Sequence, residues 1–307
     1  MAGSSYTLYY GNIAPDASTI VTSGALPLVS GNVYGVVDDI PSQGPVFQSA
    51  VAASVNVEFT FPSACTVVHF GVAGLTGWSL FGTCRLAQYS ASGGGTWLAV
   101  GSIDATSCQP LVSLSATAQG VTGISANLGY GNSNTRWRVE FLQQLTNQPT
   151  RIGQIYLFAN PSVDLTPEYT TVRRYQPKIT RMEADGGAVY TRRFGSTILL
   201  DQLHYSARSG ASQRAQMLVE AVTHAQSHRG MIADAAALYP QSAAGVSSTG
   251  VPLPADVGNV LSSGTVTSNN GTLYPVHWWD TDTMDVTYST YGQFAFSNLT
   301  LRMDGQG

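Results

Sequence analysis

The chain has 307 residues, a formal net charge of −4 and only 10% charged residues, where roughly 25% is usual for a globular domain. This length is sufficient for two domains with buried cores, and the hydrophobic fraction of 43% argues against a disordered chain. No basic patch accompanies the negative charge, so nucleic-acid binding is not expected. No apolar run approaches the roughly 18 residues of a membrane span, and the first residues lack the pattern of a signal peptide.

Because charge is scarce, the surface must consist largely of Ser, Thr, Asn, Gln and Gly. Such a composition favours a protein whose surface is covered by neighbours, or a β-rich extracellular particle. Cys65, Cys84 and Cys108 lack the spacing of a metal site or a disulfide framework. We therefore expect reduced thiols in a protein made in a cytoplasm.

Residues 1–160 are predicted to form a β-sandwich preceded by an arm. Residues 1–45 are rich in Gly, Ser and Pro and predict turns and short edge strands. After them come about eight short strands with frequent turn signals and no convincing helix, a pattern typical of a sandwich. The clearest strand segments are 54–61, 65–72, 83–89 and 96–103.

Residues 135–158 predict a hairpin that closes this sandwich. Trp137, Val139 and Phe141 alternate with polar residues, which is typical of a strand with one buried face. A polar turn over 144–150 precedes a second strand over 152–158, whose end is apolar on both sides. The exposed face that carries Arg136 and Arg138 is a candidate for subunit contacts.

A linker is predicted at residues 161–171, followed by an α+β domain over 172–307. This domain is predicted to combine an antiparallel sheet with one helix over about 212–228, where apolar residues recur at helical spacing. A long loop rich in Ser and Gly is predicted over about 241–272. A β-bulge is predicted at Ser297-Asn298, where the alternation of apolar residues slips by one position. The predicted strands are 175–182, 188–193, 196–207, 284–288 and 293–303.

Catalytic and metal-binding motifs are absent, so neither an enzyme nor a cofactor is expected. His224 and His228 have the helical spacing of a metal pair, with His204 as a third ligand, but exposed histidines near a helix end are the favoured interpretation. The acidic segment at 280–285 fails the pattern of a calcium loop and predicts a solvated turn. Its acidic residues are Asp280, Asp282 and Asp285.

Three aromatic residues in or beside predicted loops form a candidate carbohydrate site. Trp78, Trp97 and Tyr130 would offer ring faces for a pyranose, and Arg85 would supply a polar partner. The alternative is that these aromatic side chains anchor the core or the loops.

Three segments of the chain resemble the galactose-binding-like jelly rolls of bacteriophage tail proteins: SVNVEFTFPSACTVVHFGVAGLTGWS, CRLAQYSASGGGTWLAV and NTRWRVEFLQQLTNQPTRIGQIYLF. In that family, a hairpin closes the jelly roll. The two strands of that hairpin carry sequence patterns that are matched here by Arg136-Trp137-Arg138 and Ile152-Gly153-Gln154-Ile155. The resemblance implies a virion structural subunit, similar to distal or minor tail proteins of the tail tip or baseplate. It also implies a homo-oligomeric ring bound to other tail proteins, located in the virion and assembled in the host cytoplasm.

Three functions follow from these observations. The favoured one is the structural tail subunit, which would join the tail to host-contacting components. The alternative is a carbohydrate-binding adhesin that reads a host surface glycan through Trp78, Trp97 or Tyr130. A hydrolase of surface polymers has the least support, since no pair of acidic residues has an arguable spacing.

Overall fold

A computed structural model describes residues 6–24, 27–40, 43–48, 53–75, 78–92, 94–103, 121–125, 127–144, 149–165, 172–176, 179–183, 189–193, 198–207, 230–234, 273–278, 285–288 and 294–303. The described part of the chain is mainly β, with two short 3₁₀ helices at Ala14–Asp16 and Val33–Val36. The strands of the first half are β1 Tyr6–Tyr9, β2 Thr19–Gly24, β3 Leu28–Ser30, β4 Val46–Phe47, β5 Val55–Thr66, β6 His69–Ala73, β7 Trp78–Ser90, β8 Thr96–Ile103, β9 Val121–Ile124, β10 Ser133–Gln144, β11 Thr150–Arg151 and β12 Gln154–Phe158. The later strands are β13 Val163–Leu165, β14 Val172–Gln176, β15 Ile179–Glu183, β16 Val189–Arg193, β17 Ile198–Ala207, β18 Met231–Asp234, β19 Leu273–Trp278, β20 Asp285–Tyr288 and β21 Phe294–Met303.

Five antiparallel strands form what we call the front sheet, in the order β2-β5-β10-β7-β8. The first seven residues of the inner strand β5 alternate in burial, because successive side chains point to opposite faces of the sheet. In β5, for example, Val57 and Phe59 are fully buried, whereas Asn56 and Glu58 on the other face are not. The front sheet therefore has one face in the core and one face towards solvent.

The back sheet, β12-β6-β9, packs against the front sheet to complete a β-sandwich. Phe70, Ile155 and Leu157 from the back sheet share one buried cluster with Val139 and Trp137 from the front sheet. Burying apolar surface contributes about 25 cal/mol per Å², so this cluster is the main source of stability for the sandwich. The predicted β-sandwich is confirmed.

A third layer covers the other face of the back sheet. This cover sheet runs β13-β1-β18-β19-β21-β17-β14, with β20 paired to β21. Tyr156 and Phe158 of β12 pack on this side in a second buried cluster with Ile232 of β18. The prediction that the end of the 152–158 strand is apolar on both sides is confirmed, and the cause is that β12 lies in the middle layer.

The prediction of a closing hairpin at 135–158 is wrong in its pairing. Both strands exist, but β10 pairs with β5 and β7 in the front sheet, whereas β12 pairs with β6 in the back sheet. The connection therefore crosses from one layer of the sandwich to the other. The physical reason is visible in burial: β10 has one polar face, whereas every residue of β12 is buried.

The predicted strands 188–193, 196–207, 284–288 and 293–303 are confirmed as members of antiparallel pairs. The predicted strand 175–182 is wrong as a single strand, because it divides into β14, which pairs with β17, and β15, which pairs with β16. The predicted bulge is confirmed as well, since Leu203 pairs with Leu299 and Tyr205 with Phe296, which places Ser297-Asn298 opposite one residue. The helix predicted over 212–228 and the loop over 241–272 lie outside the described residues.

The cover sheet joins the two regions that the sequence separates at 161–171. Strand β1, from the first region, pairs on one side with β13, which lies within the predicted linker. On its other side β1 pairs with β18 of the second region. The boundary itself stays a prediction, but the amino-terminal arm is an integral strand of the cover sheet.

Candidate functional site

The solvent face of the front sheet carries a cluster of charged and aromatic side chains, which we call the front-face cluster. The alternation that buries Trp137, Val139 and Phe141 places Arg136, Arg138 and Glu140 on the opposite face. Antiparallel pairing then sets these residues beside the outward residues of β5 and β7, and β8 follows on the far side of β7. The members of the cluster are Glu58, Arg85, Tyr89, Trp97, Arg136, Arg138 and Glu140.

Arg138 lies at the centre of the cluster, between two carboxylates. Its Nη2 donates to Glu58 Oε1 at 3.0 Å, and its Nη1 donates to Glu140 Oε1 at 3.3 Å. Glu140 Oε2 accepts from Nε of Arg85 at 2.7 Å. Glu58 and Glu140 are only 13% and 8% exposed, so these ion pairs are largely shielded from water. The chain of charges thus ties β5, β10 and β7 together across the sheet.

Two aromatic rings continue the cluster towards β8. The Arg136 guanidinium lies 4.2 Å from the ring centroid of Tyr89 and 5.4 Å from that of Trp97. The Arg138 guanidinium lies 4.0 Å from the ring centroid of Trp97. The two rings meet edge to face, with centroids 5.4 Å apart. Cation–π contacts of this kind contribute about 0.5–1 kcal/mol each at partly exposed sites, and here they fix the orientation of both guanidinium groups.

Tyr130 lies on the loop that leads into β10, at the end of the front sheet where β7 ends and β8 begins. With 64% of its surface exposed, it is the most exposed aromatic side chain among the described residues. Gly129 and Gly131 flank it, and no atom lies within 4 Å of the position that a Cβ would take on either glycine. The Asn127 side chain accepts a hydrogen bond from Gly129 N at 2.8 Å and shapes the turn. Tyr130 is therefore an open aromatic platform three residues before the start of β10, the strand that carries Arg136.

The four residues predicted from the sequence as a carbohydrate site do not form one site. Trp97 and Arg85 belong to the front-face cluster, linked through Arg138 and Glu140. Trp78 is not in a loop as predicted, since it begins β7 and pairs with Gln144. Eleven residue steps of about 3.3 Å each separate it from Tyr89 along the strand, a distance on the order of 36 Å. Tyr130 lies at the end of the sheet opposite to Trp78.

The carboxylates of the cluster and the contact between Tyr89 and Trp97 are not among the features predicted from the sequence. A usable signal exists for Glu58, because it is the one charged residue at the outward positions of the alternating segment SVNVEFTF. Glu140 can be recognised in the same way, because it is a charged residue at an outward position of β10, two residues after Arg138. The pairing of these residues depends on strand register, which the alternation of a single strand does not reveal.

The described residues contain no group of three or more His, Cys, Asp and Glu side chains that could hold a metal. His224, His228, Asp280 and Asp282 lie outside the described residues, and Asp285 is the first residue of β20, where it pairs with Ser297. Among the described residues, no helix is long and apolar enough to cross a membrane.

Cys65 is a half-buried free thiol near the start of β10. Its Sγ donates to the carbonyl oxygen of Asn134 at 3.5 Å. Burial raises the pKa of this thiol above its usual value. The cysteine is therefore held in its neutral form and is not suited to act as a nucleophile.

Comparison with known proteins adds three solved structures of carbohydrate-binding modules or proteins that contain them. One is the CBM32 domain of AlyQ in complex with 4,5-unsaturated mannuronic acid, at 14% identity and a TM-score of 0.32, covering 50% of this chain and 98% of that one. Another is CBM32-1 from a family 31 glycoside hydrolase of Clostridium perfringens, at 10% identity and a TM-score of 0.33, covering 47% of this chain and 98% of that one.

The third is a truncated AlyQ with CBM32 and alginate lyase domains, at 11% identity and a TM-score of 0.29, covering 64% of this chain and 48% of that one. No protein-family model matches the chain, and no curated protein matches it by sequence. The three TM-scores are low, so the function of this chain has to be argued from its own residues.

Proposed function

We propose that this protein is a carbohydrate-binding module, and that it binds sugar at the end of the front sheet where Tyr130 lies. The observation that carries the proposal is the 64% exposure of Tyr130 on an open Gly-Tyr-Gly turn that leads into β10, the strand of Arg136. A pyranose ring presents an apolar face, which stacks on an aromatic ring, and hydroxyl groups, which need polar partners. Arg136 supplies such a partner, since its side chain is 40% exposed.

Trp97 takes a supporting role in this proposal. The Arg138 guanidinium lies 4.0 Å from its ring centroid, so at least part of one ring face is already covered. Trp97 therefore orients Arg136 and Arg138, while Tyr130 offers the free surface for stacking. Arg85 is committed to Glu140 and is not needed for the sugar.

The test is a glycan array followed by calorimetric titration of the oligosaccharide that binds. We expect Tyr130→Ala to weaken binding at least tenfold without changing the unfolding midpoint, because this side chain has few neighbours to lose. Tyr34→Ala is the matched control, since Tyr34 is also an exposed tyrosine, at 47%, but lies in the second 3₁₀ helix. Equal losses in the two variants, or an array without any binding, would refute the proposal.

A second candidate is the structural subunit of a virion tail, assembled as a ring with other tail proteins and located in the particle. What supports it is exposed apolar surface together with the charged fraction of only 10%. Val29 on β3 is 58% exposed, and Met182 and Val189 on the β15–β16 hairpin are 67% and 62% exposed. Native mass spectrometry and the protein content of purified particles test it; a monomer absent from particles would exclude it.

A further inference from the structure

The front-face cluster has one more positive charge than negative. Three arginines, Arg85, Arg136 and Arg138, face two glutamates, Glu58 and Glu140. The charges also lie at different depths, because the glutamates are 13% and 8% exposed whereas Arg85 and Arg136 are 43% and 40% exposed. The surface that a ligand meets is therefore positive, although the protein as a whole carries a charge of −4.

Arg136 is the arginine of the cluster that has no carboxylate within hydrogen-bonding distance. Arg85 holds Glu140 Oε2 through both Nε, at 2.7 Å, and Nη2, at 2.5 Å. Arg138 is hydrogen bonded to both carboxylates, and Glu58 Oε1 also accepts from the hydroxyl of Ser23 at 2.7 Å. Arg136 reaches Glu58 only at 3.6 Å, beyond hydrogen-bonding distance.

The guanidinium of Arg136 is held in place by stacking. The Tyr89 and Trp97 contacts orient the group but accept none of its strong hydrogen bonds. Among the described residues, no acceptor lies within hydrogen-bonding distance of its guanidinium nitrogens. A planar guanidinium of this kind is suited to bind a carboxylate or sulfate through two parallel hydrogen bonds.

We propose that the ligand is an acidic sugar, whose carboxylate or sulfate binds Arg136. This inference rests on the proposed carbohydrate function and specifies its class of ligand. A guanidinium can donate to a single hydroxyl, but a carboxylate or sulfate accepts two parallel hydrogen bonds and also carries the opposite charge, so it is the stronger partner. Arg136 therefore acts as a specificity-determining residue.

The experiment compares oligosaccharides that differ only in charge. The first pair is a galacturonate oligosaccharide and its carboxyl-reduced form, and the second is a sulfated galactan oligosaccharide and its desulfated form. We expect the wild-type protein to prefer an acidic member at least tenfold in 20 mM salt and to lose most of that preference in 500 mM salt. The pair that shows the preference identifies the carboxylate or the sulfate as the group that is bound.

Variants of Arg136 complete the test. Arg136→Gln should bind acidic and neutral sugars equally and lose the salt dependence, while Arg136→Lys should retain part of the preference because it keeps the charge. Arg173→Gln on β14 of the cover sheet makes the same change in net charge and should behave as wild type. Equal wild-type affinity for both members of each pair would overturn this inference but leave the carbohydrate function intact. Failure to bind any sugar would overturn both.

Discussion

At the scale of single residues, Glu140 is the side chain on which the front-face cluster depends most. It is only 8% exposed and accepts from two arginines that lie on neighbouring strands. Replacing it leaves Arg85 and Arg138 without a shared partner, and Arg138 is itself mostly buried, at 17% exposed. An unpaired charge in such a position is costly, whereas a pair on an open surface contributes little.

We therefore predict that Glu140→Gln lowers the free energy of unfolding by about 1–3 kcal/mol. Glu183→Gln is the control, because Glu183 is exposed on β15, and its stability should stay within about 0.5 kcal/mol of wild type. Urea unfolding followed by tryptophan fluorescence measures both. A Glu140→Gln protein as stable as wild type would show that the cluster does not support the sheet.

At Gly44 the backbone comes very close to the backbone of Ile152 and Gly153. A Cβ on this residue would collide with the carbonyl oxygen of Ile152 and come within 2.7 Å of Gly153 Cα. Because both obstacles are backbone atoms, no side chain can move aside. We predict that Gly44→Ala lowers the melting temperature by about 10 °C or more, from a loss of roughly 2–3 kcal/mol. Gly131→Ala is the control and should leave the melting temperature unchanged, because Gly131 has open space around its Cβ position and does not have a positive φ.

Because of Cys65, the stability of the folded protein should depend weakly on pH in the alkaline range. Burial raises the pKa of its thiol in the folded state, so the folded protein retains a proton that the unfolded chain releases. The resulting contribution to stability is present in full below the unfolded pKa of about 8.5 and is lost as the pH rises through the higher folded value. We predict that Cys65→Ala loses less stability than wild type between pH 7.5 and pH 10, measured by urea unfolding. Parallel curves would contradict the assignment.

At the scale of strands, the sequence predicts structure best where the pattern of apolar residues reports the burial of both faces of a strand. The slip of alternation at Ser297-Asn298 predicts the bulge in β21, because an extra residue must shift the apolar phase. The apolar end of 152–158 predicts a strand buried on both faces. The pairing of strands is harder to predict. Strands β10 and β12 are separated in sequence only by the two-residue β11, and their contrasting burial is what distinguishes a hairpin from a crossing between layers.

The candidate site is only partly readable from the sequence for the same reason. Alternation puts Arg136, Arg138 and Glu140 on one face, but it does not show which residues of β5, β7 and β8 meet them. Trp78 illustrates the limit, since flanking glycines suggest a loop where the chain forms a strand. The sequence places Tyr130 in or beside a predicted loop, because turn chemistry is local and needs no register.

The contact between the back sheet and the cover sheet depends on Phe158. This residue is fully buried and packs with Tyr156 and Ile232 between the two layers. We predict that Phe158→Ala lowers the free energy of unfolding by about 3–5 kcal/mol. Leu98→Ala is the control, because Leu98 is 49% exposed on the edge strand β8 and should change stability by less than about 1 kcal/mol. A loss at Phe158 no larger than that at Leu98 would rule out the layered packing.

At the scale of the whole molecule, the amino-terminal arm connects the sandwich to the cover sheet. Strand β1 lies between β13 and β18 and exposes no edge of its own. The arm also carries Asn12, whose side-chain oxygen accepts from Ala14 N and from Leu157 N, each at 3.1 Å. The arm therefore fixes the cover sheet through β1 and the sandwich through Asn12.

We predict that removing residues 1–12 uncovers the edges of β13 and β18 and leaves the front sheet folded. Hydrogen exchange followed by mass spectrometry should show faster exchange in 163–165 and 231–234, because their amides lose partners in β1. Peptides from β5 and β10 should exchange as in the full chain. Unchanged protection of β18 would contradict the pairing.

The location of the sugar site is tested most directly by mapping backbone amide chemical shifts of the full chain while an acidic oligosaccharide is added. The proposed function predicts shifts concentrated at Tyr130, Trp97 and Arg136, at one end of the front sheet, with the resonances of Tyr34 and Val189 unchanged. Saturable shifts centred on Trp78, or on the β15–β16 hairpin, would place the site elsewhere and contradict it. An absence of shifts with every sugar that is tried would contradict carbohydrate binding itself.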